Sequence, residues 1–259
     1  MTKNIFIRSN PKNDLGLKIL LVDDHALNRF MIQTILEKWN CSITIAEDGL
    51  EAISKIIRQH FDLILMDMRM PVMDGRTASE FIRKRLKKET PIIAITSDSI
   101  QYGNIKLEEC GIDDFISKPF SQDELYQKVI NILENKRGEA VTERLMDLDK
   151  MRSQSNNDEN FMLKMIELFL EDTQEKIASI QQATDNLEMD LLSDIAHKMK
   201  PSLHFLADAS VVETAARIEA KTDPETHLLF AESLWFIDQL TSLTSELNSF
   251  VASMKVNDK

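Results

Sequence analysis

The sequence predicts two unlike folds in succession, an α/β domain with a parallel sheet and then an all-α up-down four-helix bundle. Three observations carry this. Short apolar, β-rich runs alternate with helix-like stretches in the first part and are absent from the second. All six glycines lie at or before Gly138. Beyond it the only regular pattern is the apolar period of amphipathic helices. A chain of 259 residues is long enough for two modest domains with separate cores.

The strand-like runs fall at 18–23, 42–46, 62–67, 91–96 and 114–117. Helix-like stretches of about 11 to 15 residues separate them, so the strands lie parallel with helices on both faces. The first, third and fourth runs are continuously apolar and mark the centre of the sheet. Loops at the carboxyl ends of such strands form the ligand crevice. Asp23, Asp24, Asp67, Thr96 and Lys118 all fall at that end. A polar hinge with Gly138 follows at 134–140. Beyond it, a short helix is expected at 143–151 and long ones at 158–183, 187–205, 208–220 and 224–254. The first long helix shows the apolar stripe Phe161, Met165, Leu168, Phe169 and Ile177, broken by Asp172. Thr222 and Asp223 before Pro224 resemble an N-cap followed by a first-turn proline.

A net charge of −12 opposes nonspecific grip on nucleic acid or an anionic membrane. The one basic cluster, Arg83, Lys84, Arg85, Lys87 and Lys88, suits a solvated helix C-terminus. Cys41 and Cys110 have neither metal-ligand spacing nor the numbers for a disulfide framework. No stretch reaches the roughly 20 apolar residues of a membrane span, and the expected location is cytoplasmic.

Asp67 ends a buried strand, where a carboxylate is costly unless it is used. Transfer of a phosphoryl group to a carboxylate requires charge neutralisation on the phosphoryl oxygens. Mg²⁺ suits that task and takes hard oxygen ligands, which Asp23, Asp24 and Asp67 can supply. Lys118 offers a fixed positive charge and Thr96 a hydroxyl donor. A second candidate is His197. Ile195, Met199 and Leu203 take one side of its helix, which leaves His197 facing solvent with Lys200 as its neighbour. An exposed imidazole beside an ammonium suits reversible capture of a phosphoryl group. His25 sits next to Asp24 at the crevice, His60 ends a helix, His204 shares a similar face with His197, and His227 reads as bundle surface.

Residues 17–134 resemble the receiver domain of response regulators. The matching motifs are Val22-Asp23-Asp24, Met66-Asp67-Met68-Arg69-Met70-Pro71, Ile93-Ala94-Ile95-Thr96 and Phe115-Ile116-Ser117-Lys118-Pro119-Phe120. Asn28-Arg29 and the run Pro71 to Gly75 are most similar to receivers of hybrid kinases and phosphorelays. The resemblance implies a flavodoxin-like sheet of strand order 2-1-3-4-5, with Asp67 as phosphoacceptor. It also implies Mg²⁺ held by Asp23, Asp24, Asp67 and the backbone carbonyl of Arg69. Lys118-Pro119 is expected to be cis, and Phe115 takes the place of the switch aromatic. Phenylalanine has no hydroxyl, so a tyrosine-type switch contact is excluded. Arg69 and Asp98 flank the expected route of attacking water, and a pair between them would slow hydrolysis of the aspartyl phosphate.

Residues 142–259 resemble a histidine-containing phosphotransfer domain, joined by a linker at 135–141, and 1–16 form an N-terminal extension. The carrying residues include Asp158 to Phe161, Leu168 to Asp172, Ile195 to Lys200 and Ala215 to Glu219. By this resemblance His197 is the phosphocarrier and Lys200 its electrostatic partner. Pro201 stands where the family commonly has glycine, and a local kink is expected there. The combination is similar to phosphorelay proteins and to the C-terminal parts of hybrid sensor kinases. Its implied partners are a histidine kinase or other phosphohistidine donor and a receiver domain, in cis or in trans. No kinase catalytic segment or DNA-binding module is visible in the sequence, so the output passes to another protein. The expected chemistry is self-catalysed phosphorylation and dephosphorylation of Asp67. Two other readings are a phosphorylation-switched adaptor with an inactive His197, and a Mg²⁺-dependent phosphatase. The phosphatase reading lacks its second acid, because Arg69 occupies that position.

Overall fold

The computed structural model describes residues 15–97, 110–135, 145–156, 158–220 and 226–257. The chain divides into two compact units, Met1–Glu139 and Ala140–Lys259.

In the first unit, strands β1 (Lys18–Val22), β2 (Ser42–Ala46), β3 (Leu63–Asp67), β4 (Ile92–Thr96) and β5 (Asp114–Ser117) form one parallel sheet. Their order is β2-β1-β3-β4-β5, as expected. Every residue of β3 and β4 is buried, and four of the five in β1. These central strands are covered on both faces, which is why their apolar runs are continuous. The edge strands β2 and β5 are only partly buried. Helices α1 (Ala26–Glu37), α2 (Gly49–Arg58), α3 (Gly75–Lys84) and α4 (Gln122–Asn135) flank the sheet. One core joins Ile19, Leu21, Leu63, Leu65, Ile93, Ile95 and Ile116 to Ile32 and Leu36 of α1 and to Leu125 and Val129 of α4. Alternate residues Leu20, Ile64 and Met66 are buried on the opposite face.

Register gathers the polar residues at one end. Val22 pairs with Met66, so one step further sets Asp23 beside Asp67. Asp67 pairs with Ile95, and Thr96 with Ser117, which leads directly into Lys118. Two of the helices that leave this edge, α2 and α3, start from short carboxylate caps. Asp48 accepts from Glu51 N, and Asp74 accepts from Thr77 N. Between β3 and α3 the chain makes a tight turn in which Met73 N donates to Pro71 O at 2.7 Å. Val72 at its centre has φ +64°, a strained value for a β-branched residue. The carbonyl of Met73 accepts from Gly49 N, which links this turn to the start of α2.

The second unit contains α5 (Leu148–Gln154), α6 (Glu159–Asp185), α7 (Met189–Leu206), α8 (Ala209–Ala220) and α9 (Thr226–Asn257). The four long helices pack in a ring, α6 against α7 and α9, and α8 against α7 and α9. They share one core that includes Ile166, Phe169, Leu192, Met199, Leu203, Val211, Phe236 and Leu240. Arg217 of α8 donates to both carboxylate oxygens of Glu232 on α9, at 2.8 and 3.1 Å. Glu232 is 2% exposed, so this pair locks the two helices where water does not compete.

Two expectations need adjustment. The short helix predicted at 143–151 is α5, which starts later because Asp147 caps it through Lys150 N. Leu145 and Met146 are instead drawn out of helix. Their NH groups donate to Glu246, and Met146 bridges Ala207. The buried stripe of α6 is Met162, Ile166, Phe169, Thr173, Ile180, Ala183 and Thr184. Phe161 and Leu168, assigned to it from the sequence, are 47% and 48% exposed. The stripe was displaced because two of its true members are threonines. Their hydroxyls donate to Phe169 O and Ile180 O, which makes them compatible with burial. The helix expected at 187–205 is α7, which runs through the exposed Pro201 to Leu206. Asp98 and the proposed first-turn Pro224 lie outside the described residues.

Among the described glycines, Gly75 makes the closest approach. A Cβ there would stand 2.1 Å from the carbonyl oxygen of Asp67. Backbone cannot rotate away as a side chain can, so Gly75→Ala is expected to destabilise this unit by about 3 kcal/mol. A drop in the urea midpoint at unchanged m-value checks this.

Candidate functional site

The carboxyl ends of β1 and β3 bring three carboxylates together. Oxygens of Asp23, Asp24 and Asp67 all lie within 4.8 Å of one another. Asp23 is fully buried, Asp67 is 8% exposed, and Asp24 faces solvent. Lys118 reaches between the two buried members. Its Nζ lies 2.6 Å from Asp67 Oδ2 and 2.8 Å from Asp23 Oδ2. The Lys118-Pro119 peptide is cis, as expected, and Lys118 N donates to Thr96 O at 2.7 Å. Thr96 is 2% exposed at the end of β4.

Each group has a distinct electrostatic state. Burial pushes the Asp67 carboxyl up, and the nearby Asp23 charge adds to this. Hydrogen bonds from Arg69 N and Lys118 only partly offset it, so its pKa stays above the ordinary value. Asp23 also feels burial, but hydrogen bonds from Lys118 and His25 N outweigh it and hold its pKa below the ordinary value. For Lys118, burial works against the charge, yet its two carboxylate partners win and raise its pKa. The site thus holds one firmly charged acid, one firmly charged base, and in Asp67 one carboxylate whose charge is unfavourable as it stands. An all-oxygen donor set with surplus negative charge fits a hard divalent cation such as Mg²⁺.

Phe115 lies half-buried on β5 against Met68, Ala94, Cys110 and Ile112, with Lys128 Nζ 5.4 Å from its ring centroid. Arg69 is exposed, beside the cluster. His25 takes the N-cap position of α1, and its side chain makes no capping bond.

In the second unit, Ile195, Met199 and Leu203 of α7 are buried, while the His197 side chain is 72% exposed. His197 Nδ1 lies 2.6 Å from Glu219 Oε1 on α8, and Lys200 Nζ lies 2.5 Å from Glu219 Oε2. Ser193 Oγ donates to the carbonyl of the same glutamate at 2.8 Å. Hydrogen bonds from Lys200 and then His197 hold the Glu219 carboxyl below its ordinary pKa. An ionised carboxylate only accepts, so Nδ1 carries a proton, and in a neutral imidazole the lone pair is then on Nε2. That is the nitrogen a nucleophilic imidazole needs.

Glu219 was not singled out from the sequence as a site residue. It is 22 residues from His197, on another helix, and no local spacing rule links them. Glu47 was missed for the same reason. It pairs with Arg29 at 2.6 Å from a different loop.

A protein-family model for the response regulator receiver domain matches residues 19–130. Among curated proteins, the transcription factor SKN7 of Saccharomyces cerevisiae is 36% identical over 121 residues, 47% of this chain and 19% of that protein. The sensor histidine kinase GacS of Pseudomonas protegens is 34% identical over 148 residues, 53% of this chain and 16% of the kinase. The transcriptional regulatory protein ResD of Bacillus subtilis is 42% identical over 116 residues, 45% of this chain and 48% of ResD. The chain spans less than half the length of these relatives. Among solved structures, the receiver domain of a sensor histidine kinase from Pseudomonas aeruginosa PAO1, with magnesium in its active-site cleft, is 34% identical. That match covers 46% of this chain and 98% of the other, with a TM-score of 0.42. Family match, sheet order and clustered carboxylates agree: residues 19–130 are a response regulator receiver domain of two-component signalling.

Proposed function

We propose that this chain is a phosphorelay protein in which Asp67 and His197 each carry a phosphoryl group. Its parts are an extension at 1–16, a receiver domain at 17–134, a linker at 135–141 and a phosphotransfer domain at 142–259. The bundle of the last part is up-down and built on α6 to α9. The observation that carries the reading is the half-buried Lys118 between Asp67 and Asp23, beside a third carboxylate. The expected donor is a phosphohistidine on a histidine kinase or similar protein, and the expected second partner is a receiver domain, in cis or in trans. No helix among the described residues is long and apolar enough to cross a membrane. A cytoplasmic site of action, with no nucleic-acid partner, fits the net charge of −12.

In the receiver, an Asp67 oxygen attacks phosphorus, the phosphorus–nitrogen bond of the donor breaks, and its electron pair returns to the donor imidazole. Mg²⁺ bound by Asp23, Asp24, Asp67 and the Arg69 carbonyl would supply charge neutralisation on the phosphoryl oxygens. Lys118 gives its charge to one of those oxygens, and the Thr96 hydroxyl donates to another. Phe115 packs on the neighbouring strand and acts as the switch residue. In the phosphotransfer domain, Glu219 keeps the proton on Nδ1 of His197, so Nε2 is the attacking atom. Lys200 offsets charge on the incoming group. Arg69 remains the candidate to hinder attacking water.

Phosphotransfer from a labelled kinase tests the relay. Wild type is expected to carry acid-labile label on His197, Asp67→Ala to lose label at both positions if the relay is internal, and His197→Ala to keep it on Asp67. Label that stops on Asp67 in wild type would favour the adaptor reading. Glu219→Ala is expected to slow the His197 step by about 10²-fold, through loss of the fixed tautomer, while Asp67 is phosphorylated normally. Asp67→Asn tests the charge state of the site. Because the folded-state pKa of Asp67 is raised, its charge costs stability near neutral pH. The neutral variant is expected to melt about 3 °C higher without metal, and to lose the stabilisation that Mg²⁺ gives wild type.

A further inference from the structure

Two of the three clustered carboxylates are adjacent in sequence, on the loop between β1 and α1. Their mutual repulsion would splay that loop unless the backbone beneath them is held. Arg29 is positioned to hold it. Its Nη1 donates to Asp23 O at 2.7 Å and to Asp24 O at 3.0 Å. Its Nη2 donates to Glu47 Oε1 at 2.6 Å, and the Arg29 side chain is only 13% exposed. Glu47 follows β2 and is itself tethered, since its NH donates to Glu51 Oε2 at 2.7 Å. Glu51 in turn pairs with Lys55 on α2 at 2.6 Å. The neighbouring Asn28 adds a second grip, with Nδ2 3.2 Å from each carboxylate oxygen of Asp23.

We propose that Arg29, anchored by Glu47, is a positioning residue for the divalent-cation site: it fixes the spacing of Asp23 and Asp24 through their backbone carbonyls. The inference rests on the cation reading above and goes beyond it. A guanidinium suits the task because its rigid fork serves three oxygens at once, which a lysine ammonium on a flexible stem does not. Charge alone would oppose this role. Arg29 is a cation close to a cation site, so by Coulomb's law its removal strengthens metal binding. By geometry its removal weakens binding, because the two carboxylates lose their common support. The sign of the effect therefore separates the two.

Calorimetric Mg²⁺ titration of the full chain, with phosphorylation by phosphoramidate at varied Mg²⁺, provides the test. Arg29→Gln is expected to raise the Mg²⁺ concentration for half-saturation about 10-fold, with a far smaller fall in the rate at saturating Mg²⁺. Arg29→Lys keeps the charge and is expected not to restore affinity. Glu47 is 65% exposed, so Glu47→Ala leaves the fold intact and is expected to weaken Mg²⁺ in the same direction. The double variant is expected to be no worse than Arg29→Gln, because the two act as one unit. Unchanged or tighter Mg²⁺ binding in Arg29→Gln or in Glu47→Ala, or additive effects in the double variant, would overturn the proposal. A wild-type chain that takes up no Mg²⁺ would instead overturn the cation reading itself.

Discussion

Two carboxylates cannot share a buried edge of a sheet without a counter-charge, and Lys118 supplies it between Asp23 and Asp67. Much of the first unit can be understood from that constraint. The apolar strands β1, β3 and β4 exclude water from the edge, which strengthens both the attraction to Lys118 and the repulsion between the acids. Lys118 reaches its place because β5 pairs with β4 in a register that ends at Thr96 and Ser117. Asp67 remains the group least at ease, which suits the acceptor role proposed for it.

The second unit solves a related problem with the opposite sign. There a single carboxylate, Glu219, sits between two basic side chains of α7. It stands 26% exposed, so water weakens each contact, and its value lies in orientation more than in stability. The Arg217–Glu232 pair, with Arg217 two residues before it, anchors α8 where solvent does not reach Glu232. One ion pair thus sets the helix and the other sets the proton.

Much of this was legible in the sequence because it is written in local order. The central strands could be placed from their unbroken apolarity, and Asp23, Asp67, Thr96 and Lys118 from their positions at strand ends. What escaped notice depends on tertiary partners. Thr173 and Thr184 fall outside any apolar stripe drawn from side-chain type, yet both are buried because their hydroxyls bond within the helix. Leu145 and Met146 read as helix until Glu246 is seen to claim their NH groups. Glu47 and Glu219 are ordinary surface acids by any rule of spacing, and only the folded chain puts them beside Arg29 and His197.

The contact between Gly75 and Asp67 has a mechanical side. Only a hydrogen atom on the Gly75 Cα faces the Asp67 carbonyl, so strand end and helix start touch backbone to backbone. No rotamer change can absorb a displacement across such a joint. A shift of the Asp67 main chain therefore bears directly on Gly75, the first residue of α3. There Asp74 and Thr77 hold the turn together as one body. The joint is stiff, and it sits at Asp67, the proposed acceptor of the first unit.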